Sequence, residues 1–576
     1  MSQFDKDDID DLGLLKLDVL GVRMQSSLAY TVHEITRLHG DELASAGGLP
    51  EDAPYLASGT LALNDIPHDD EATLRMIRST HTLGMFQIES PGQRELIGKM
   101  QPTAYEDLIA DISLFRPGPM KGNMVAPYLD VRHGIRSAEY LRPEFIPFLR
   151  ETHGVVVYHE QLIRILSFCM GIGYAEADEL RRQMSHQLTE VERRFRAASA
   201  AQRDEDRRPR FQPAEIDRIW SVVAGFGSFG FCKAHGAAFA LTTWQSAWLK
   251  THFPAEFFAG LLTHDPGMYP KRLLVGDARR LGIPILPVDI NRSARTWTVE
   301  RVRATPAGVP TRPGDLGIRV ALAEVQGMTE AELTRILAER PFHSLGDVWE
   351  RARPSRRLAE RLAMVGAFDA LEHTSVQADI PVLPSRGELI ARVRELAAQR
   401  KRPRVPRADE LQLPLDFDAV HAVELPQSGR TQASSERTRE RVQAELEVLS
   451  IDLSEHLIES YRPLLDELGV TPAAKLLELR NRTEVMVAGV RVVTQTPPMR
   501  SGKRVVFVSV DDGTGCADAA FFEEAQQHTG SALFNSKLLV IAGTTRRTGA
   551  RGVSLQADRA WDLAELWQEW RRRHAA

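Results

Sequence analysis

A carboxylate inside an apolar run is the first place where chemistry suggests itself. In Leu14-Leu15-Lys16-Leu17-Asp18-Val19-Leu20, ending at Gly21, Asp18 has hydrophobic neighbours on both sides, so it sits in a strand that ought to be buried. A buried carboxylate needs partners, and local backbone N–H groups could supply them. Lys16 lies two positions earlier and shares the same strand face. A second group is Glu179-Leu180-Arg181-Arg182-Gln183-Met184 on a predicted helix. Its adjacent arginines suit a solvated face, or a clamp in which guanidinium forks match phosphate oxygens. A third is Phe229-Gly230-Phe231-Cys232-Lys233-Ala234-His235-Gly236-Ala237. Small residues around Lys233 and His235 allow a ligand to approach closely, or simply let two helices touch.

The elements that must position these groups can be read from periodicity. Residues 1–25 form an acidic loop running into the short Asp18 strand. From about 26 to 290 the spacing is mainly helical, broken by Gly/Pro punctuation such as Arg116-Pro117-Gly118-Pro119. Residues 318–371 read as short helices with a small turn at Gln326-Gly327-Met328. The stretch 376–440 carries prolines and the basic run Arg400-Lys401-Arg402-Pro403-Arg404, which predicts a helix followed by a linker. Strand-like runs come after it at Val485–Val493, Val505–Val510, Ala519–Phe522, Leu538–Ile541 and Val553–Ala557. Short strands with Gly-containing turns predict a small barrel of the OB type.

Bulk properties exclude several classes. The 576 residues exceed one core, 43% are hydrophobic and 26% charged, and the net charge is −6, so this is a globular multi-domain chain whose basic surface must be local. Cys169, Cys232 and Cys516 are too far apart in sequence for a CxxC metal site or a disulfide framework, which fits a reducing cytoplasm. No apolar run reaches about 18 residues and the acidic start is unlike a signal peptide. A cytoplasmic protein with no membrane partner is expected.

Taken together, the motifs resemble those of the bacterial DNA polymerase III alpha subunit, a family C DNA polymerase. Leu15-Lys16-Leu17-Asp18-Val19-Leu20-Gly21 resembles the palm strand carrying the third catalytic aspartate. Gln3-Phe4-Asp5-Lys6-Asp7-Asp8 is similar to the element just before it. Met85-Phe86-Gln87-Ile88-Glu89-Ser90, Leu114-Phe115-Arg116-Pro117-Gly118-Pro119, Gly154-Val155-Val156-Val157-Tyr158-His159-Glu160-Gln161 and Trp248-Leu249-Lys250-Thr251-His252-Phe253-Pro254-Ala255-Glu256-Phe257 resemble fingers signatures, in family order. The resemblance implies a mixed, mainly α, multi-domain fold. It comprises a palm remnant (1–25), helical fingers (26–290), a helix-hairpin-helix DNA-binding region (291–375), a linker with a clamp-binding motif (376–440), and a helical segment with a C-terminal OB-type β-barrel (441–576).

The implied reaction is template-directed nucleotidyl transfer from a dNTP to a primer 3′-hydroxyl in bacterial DNA replication. Asp18 would be a catalytic, Mg2+-binding carboxylate, since two divalent ions need clustered oxygen ligands. Lys16, Arg181, Arg182 and Lys233 would approach the nucleotide phosphates, and His235 its sugar. Lys233 ahead of His235 points towards a replicative rather than an error-prone type. The family's other two aspartates form an Asp-x-Asp pair well upstream, and only 17 residues precede Asp18. Asp5-Lys6-Asp7 has that spelling but matches the element beside the third aspartate. The expectation is a C-terminal half that is inactive alone, Met1 being either an artefact or the start of one half of a split enzyme. The alternative is a non-catalytic protein that keeps the DNA- and clamp-binding modules.

Three further contacts complete the expected partners, which are primer–template DNA, dNTP, the sliding clamp, and other replicase subunits or a separate N-terminal polymerase half. Gly327 marks a hairpin that presents backbone N–H groups to a DNA phosphate, though a single Gly between helices is also an ordinary turn. Gln412-Leu413-Pro414-Leu415-Asp416-Phe417 fits the Q-x-x-L-x-F clamp motif. Leu415 and Phe417 would fill apolar pockets and Gln412 would bond at the rim, unless the peptide folds back on its own domain. In the barrel, Arg491, Arg500, Lys503, Arg504, Arg546 and Arg547 offer an electrostatic groove for single strands. Phe507, Phe521, Phe522 and Phe534 read mostly as core.

Overall fold

The computed structural model describes residues 12–13, 22–45, 61–115, 124–184, 186–226, 231–267, 269–302, 313–371, 385–401, 432–496, 504–547 and 552–574. Helices dominate its first three quarters. They are α1 (Arg23–Ser45), α2 (Glu71–Arg78), α3 (Pro91–Met100), α4 (Tyr105–Leu114), α5 (Val125–Arg132), α6 (His159–Met170), α7 (Tyr174–Gln183), α8 (Leu188–Ala201), α9 (Pro213–Phe226), α10 (Lys233–His252), α11 (Pro254–His264) and α12 (Lys271–Arg280). Several boundaries result directly from local chemistry. Asp70 caps α2 and Ser90 caps α3, where Pro91 fills a first-turn position that needs no N–H. Pro254 begins α11 in the same way.

Two cores divide this helical region. A tip spanning Phe145 to Val223 packs around Phe145, Leu166, Phe195 and Trp220. The larger core gathers α1–α5 and α10–α12 and runs on, without a break, into the segments beyond α12 as far as Ile451. That continuation holds a three-stranded sheet of β1 (Ile285–Leu286), β2 (Thr298–Arg301) and β3 (Leu316–Arg319), in the order β1-β3-β2. It also holds α13 (Glu330–Ala338), α14 (Leu345–Arg351), α15 (Arg356–Met364), α16 (Arg386–Lys401) and the end of α17 (Gln432–Leu449). Periodicity did not reveal the sheet, because strands of two to four residues are too short to establish a period of two.

One buried cation organises the larger core. Lys250 is 1% exposed, and its ammonium donates to the carbonyls of His81 (2.9 Å) and Leu83 (2.7 Å) and to Asp277 Oδ2 (2.7 Å). Arg280 donates to the other oxygen of Asp277 at 3.1 Å. Burial pushes the Lys250 ammonium down from its ordinary pKa. The same burial would raise Asp277, but its two cationic neighbours hold it below the usual carboxylate range. His39 and Glu256 form a second buried pair at 2.8 Å between α1 and α11. The Trp248–Phe257 run is therefore a structural seam, with its charges turned inward.

The C-terminal strands close as expected. β4 (Glu484–Gln495), β5 (Val506–Asp511), β6 (Cys516–Phe521), β7 (Leu538–Arg547) and β8 (Val553–Asp562) form a closed barrel in the order β4-β5-β6-β8-β7, with β6 and β8 parallel. α18 (Glu523–Asn535) lies between β6 and β7, and α19 (Leu563–His574) packs outside β4 and β7. The fold is thus mainly helical with an OB-type barrel. Removing one member of the buried ion pair strands the other, so Lys250→Met should cost about 3–5 kcal/mol. A lowered denaturant midpoint in equilibrium unfolding checks this, and Lys250→Met combined with Asp277→Leu should cost less than the sum of the two single changes.

Candidate functional site

Two helix starts are brought side by side by a single backbone bridge. Tyr158 pairs in parallel with Phe231, and the His159 N–H donates to the Phe231 carbonyl at 2.9 Å. This sets the first turn of α6 against the first turn of α10. Gln161 secures the arrangement by accepting from the N–H groups of Val157 (2.8 Å) and Tyr158 (3.0 Å) and donating to the Phe148 carbonyl and the Thr152 hydroxyl. Gly236 serves close helix contact, because a Cβ there would stand 2.8 Å from Ser113 Oγ on α4.

Carboxylates occupy the positive end of this arrangement. Glu160 accepts from the Lys233 N–H at 3.2 and 3.1 Å, through its two oxygens, and so satisfies an orphan donor at the start of α10. The Lys233 ammonium meets Glu151 Oε2 at 2.5 Å and lies 5.5 Å from the centre of the Tyr158 ring. Burial, reinforced by Glu151, raises the Tyr158 hydroxyl well above its ordinary pKa. His235 is exposed, edge-on to Phe231 and Phe239 at 5.3 and 4.2 Å between ring centres. Arg181 and Arg182 both turn back to Asp178 at 2.8 Å on α7, which packs on α6. Burial would raise Asp178, yet the two guanidinium groups lower it. Among the described residues no ion pair joins the arginine pair to the Lys233 group. Asp18 and Lys16 lie outside the described residues, as do Gln412, Leu415 and Phe417. Among the described residues no three His, Cys, Asp or Glu side chains stand together to hold a metal.

The hairpin at Gly327 is a real turn between helices. Gly327 has φ +83°, after a short 3-10 turn at Leu322–Glu324 and before the Thr329-capped α13. Several of its N–H groups are already committed: Gln326 donates to Val448, Met328 to Val325 and Thr329 to Glu332. The guanidinium of Arg361 lies across the turn, donating to both the Gln326 carbonyl and its side-chain oxygen. A matching turn, missed in the sequence, comes after α15. There Gly366 has φ +81°, and Arg386 donates to the Met364 carbonyl and approaches Asp369 at 3.3 Å. The run Met364-Val365-Gly366-Ala367 at a helix end was the available signal.

The barrel surface corrects one expectation. Of its phenylalanines only Phe521 is core, whereas Phe507, Phe522 and Phe534 are 41%, 42% and 44% exposed. Phe521 is the last residue of β6, whereas Phe522 has left the strand and leads into α18. Phe507 opposes Ala520 in the β5–β6 ladder. Arg504 sits 5.2 Å from the Phe534 ring centre. Arg491 and Arg547 instead bond the carbonyls of Leu533 and Leu477.

The rest of the β5–β6 face docks onto the helices. Asp518 pairs with Arg94 at 3.3 Å, and buried Asp511 takes His456 at 3.2 Å with Arg272 and Arg280 each at 3.9 Å. Arg279 donates to the carbonyls of Asp452 and Leu453.

Comparison with known proteins bears directly on this architecture. Residues 55–205 match the bacterial DNA polymerase III alpha subunit finger domain, and 282–378 match a helix-hairpin-helix motif. An error-prone DNA polymerase of Symbiobacterium thermophilum is 34% identical over 584 residues, covering 97% of this chain and 51% of the relative. One from Burkholderia pseudomallei is 32% identical, covering 94% and 47%, and error-prone DNA polymerase 2 of Agrobacterium fabrum is 29% identical, covering 98% and 48%. The chain belongs to the bacterial DNA polymerase III alpha-subunit family. It spans about half the length of the curated relatives it matches. Its finger and helix-hairpin-helix matches are followed by the closed barrel. The names of these relatives run against the replicative type to which Lys233 pointed. Among the described residues no helix is long and apolar enough to cross a membrane.

The docking of the alpha-subunit barrel has a pH signature. Burial would raise Asp511, but His456 and Arg280 hold it below its ordinary value. A carboxylate lowered on folding stabilises fully above its unfolded pKa of about 4, and that stabilisation is lost as pH falls through the lowered value. Thermal unfolding measured as a function of pH should therefore show an acid limb below about pH 4 that flattens in Asp511→Asn.

Proposed function

We propose that this chain is the fingers-to-barrel part of an error-prone DNA polymerase that adds deoxynucleotides to a primer on a DNA template, acting in the cytoplasm. Collinear similarity to error-prone polymerases over 94–98% of the chain carries the reading. The reaction needs clustered carboxylates around Mg2+. Asp18 is the one residue here that matches that role, so the remaining ligands would come from outside these 576 residues. Bound Mg2+ would neutralise charge on the triphosphate and activate the primer hydroxyl.

Side chains of this chain would bind and orient the nucleotide. Arg181, Arg182 and Lys233 rest on Asp178 and Glu151, and partly exposed pairs of this kind are worth only about 0–1 kcal/mol. A triphosphate carries more charge and more acceptor oxygens, so it displaces the carboxylates at little cost. His235, exposed at the start of α10, would face the sugar, and Lys16 another phosphate. DNA would meet the Gly327 turn through Arg361, and single-stranded template would meet Arg504 and the exposed phenylalanines of the barrel.

Two measurements test the reading. Primer extension should be absent with these 576 residues alone, appear when a polypeptide bearing the Asp-x-Asp palm strand is added, and vanish with Asp18→Ala. In that reconstituted assay Lys233→Ala should raise the KM for dNTP about tenfold, while Glu151→Gln, which removes the competing carboxylate, should lower it. Extension by the unsupplemented chain, abolished by Asp18→Ala, would contradict this division of the site.

The second concerns the clamp. Leu415 and Phe417 would each leave water for an apolar pocket at roughly 1.5–3 kcal/mol, with Gln412 at the rim. Purified chain should bind a bacterial sliding clamp in a titration, and Leu415→Ala with Phe417→Ala should remove that binding without changing DNA affinity. Equal clamp binding by the double variant would leave the segment as linker.

A further inference from the structure

The distribution of tryptophan sets one surface apart. Of the eight tryptophans, Trp220, Trp244, Trp248, Trp297 and Trp349 are buried in the helical cores. The other three, Trp561, Trp567 and Trp570, are only half-buried and fall within ten residues at the end of β8 and along α19. Trp567 and Trp570 stack with ring centres 4.9 Å apart and planes 13° from parallel. His574 continues the stack on Trp570 at 4.3 Å and is exposed. Cations flank the ladder: Arg439 lies 5.5 Å from the Trp567 ring, Arg559 lies 5.2 Å from Trp561, and Arg571, Arg572 and Arg573 fill the exposed last turn of α19. A groove of about 250 Å³ adjoins it, lined by Arg439, Gln443, Leu446, Leu457, Ser460 and Tyr461, and Tyr461 meets Trp567 edge-on at 5.4 Å.

We propose that α19 is a second, separate binding platform for unpaired nucleic acid, on which bases continue the Trp567–Trp570–His574 stack while Arg571–Arg573 hold the backbone phosphates. This surface stands independently of the polymerase reading. Packing alone explains why the two tryptophans touch the Leu457–Val470 segment. Helical spacing brings Trp567, Trp570 and His574 onto one face of α19, but packing does not explain why that row ends in an exposed ring within a basic last turn. Bases stack on any aromatic face, and phosphates want the adjacent cations, so single strands fit both halves of the surface. Acidic counter-charge is also present: Glu467 accepts from the Trp570 indole N–H at 2.5 Å and stands 3.6 Å from His574, Glu569 stands 3.6 Å from Arg573, and Asp562 and Glu565 lie at the opposite, N-terminal end of α19. The platform lies outside β4 and β7, away from the β5–β6 face that docks on the helices.

All eight tryptophans emit, but because five are buried, quenching by direct contact with a base reports the three half-buried ones. Titration of the whole chain with a thymidine homopolymer at low salt should quench emission saturably. The variant Arg571→Ala/Arg572→Ala/Arg573→Ala changes only exposed side chains and should weaken the affinity read from that quenching about tenfold, and replacement by lysines should restore it. Trp570→Phe should reduce the amplitude of quenching. An emission unchanged by the oligonucleotide would overturn the proposal and leave the ladder as a packing seam or a protein contact. So would equal quenching by duplex DNA, or equal affinity in the triple-alanine variant.

Discussion

Burying one ammonium constrains most of this molecule. Lys250 has no water to hydrogen-bond, so it needs oxygens from the protein, and it takes them from the 81–83 loop and from α12. That requirement fixes α12 against α10. The same short helix presents Arg272 and Arg280 to Asp511 of the barrel and Arg279 to the carbonyls of Asp452 and Leu453. A charge paired inside the helical core thereby sets the angle from which three more cations meet the C-terminal domain. Such a pair contributes less to net stability than to uniqueness, since any alternative packing strands a charge.

Electrostatics at the candidate nucleotide site obey a different rule. Lys233, Arg181 and Arg182 are each matched with a carboxylate in partly exposed positions, where water and salt weaken the attraction. Buried pairs such as Lys250–Asp277 lock geometry, whereas these partly exposed ones can exchange partners. Position at the surface, more than residue type, separates the scaffold cations from those able to take a ligand.

Several motifs that make the chain recognisable turn out to be scaffold. Gln161 ties the Tyr158 bridge to its surroundings, and Ser90 caps α3. Glu89 accepts from Gly84, Lys250 and Glu256 form buried pairs, and His252 meets Asp70 at 2.9 Å. Each answers a particular backbone group or charge, and a misplaced partner would leave an orphaned polar atom.

The sequence by itself determined the helical character, the five barrel strands, the turn at Gly327 and the family, because periodicity, glycine and short polar signatures are local properties. It also placed Arg181 and Arg182 on a helix, whereas the position of Lys233 and His235 in the first turn of α10 came from the structure. Only the tertiary structure decided what those residues touch: that Glu160 caps the helix of Lys233, that Asp178 takes both arginines, and that Arg361 lies across the Gly327 turn. Each partner is set by packing between distant segments. The phenylalanines of the barrel were misread for the same reason. Phe521 and Phe522 are adjacent, yet one is core and the other surface, because β6 ends at Phe521 and Phe522 leads into α18. The three half-buried tryptophans near the C-terminus were visible as residues, but their stacking depends on how α19 lies against the Leu457–Val470 segment. Composition names the groups a protein can use, and close packing between remote parts of the chain selects which of them meet.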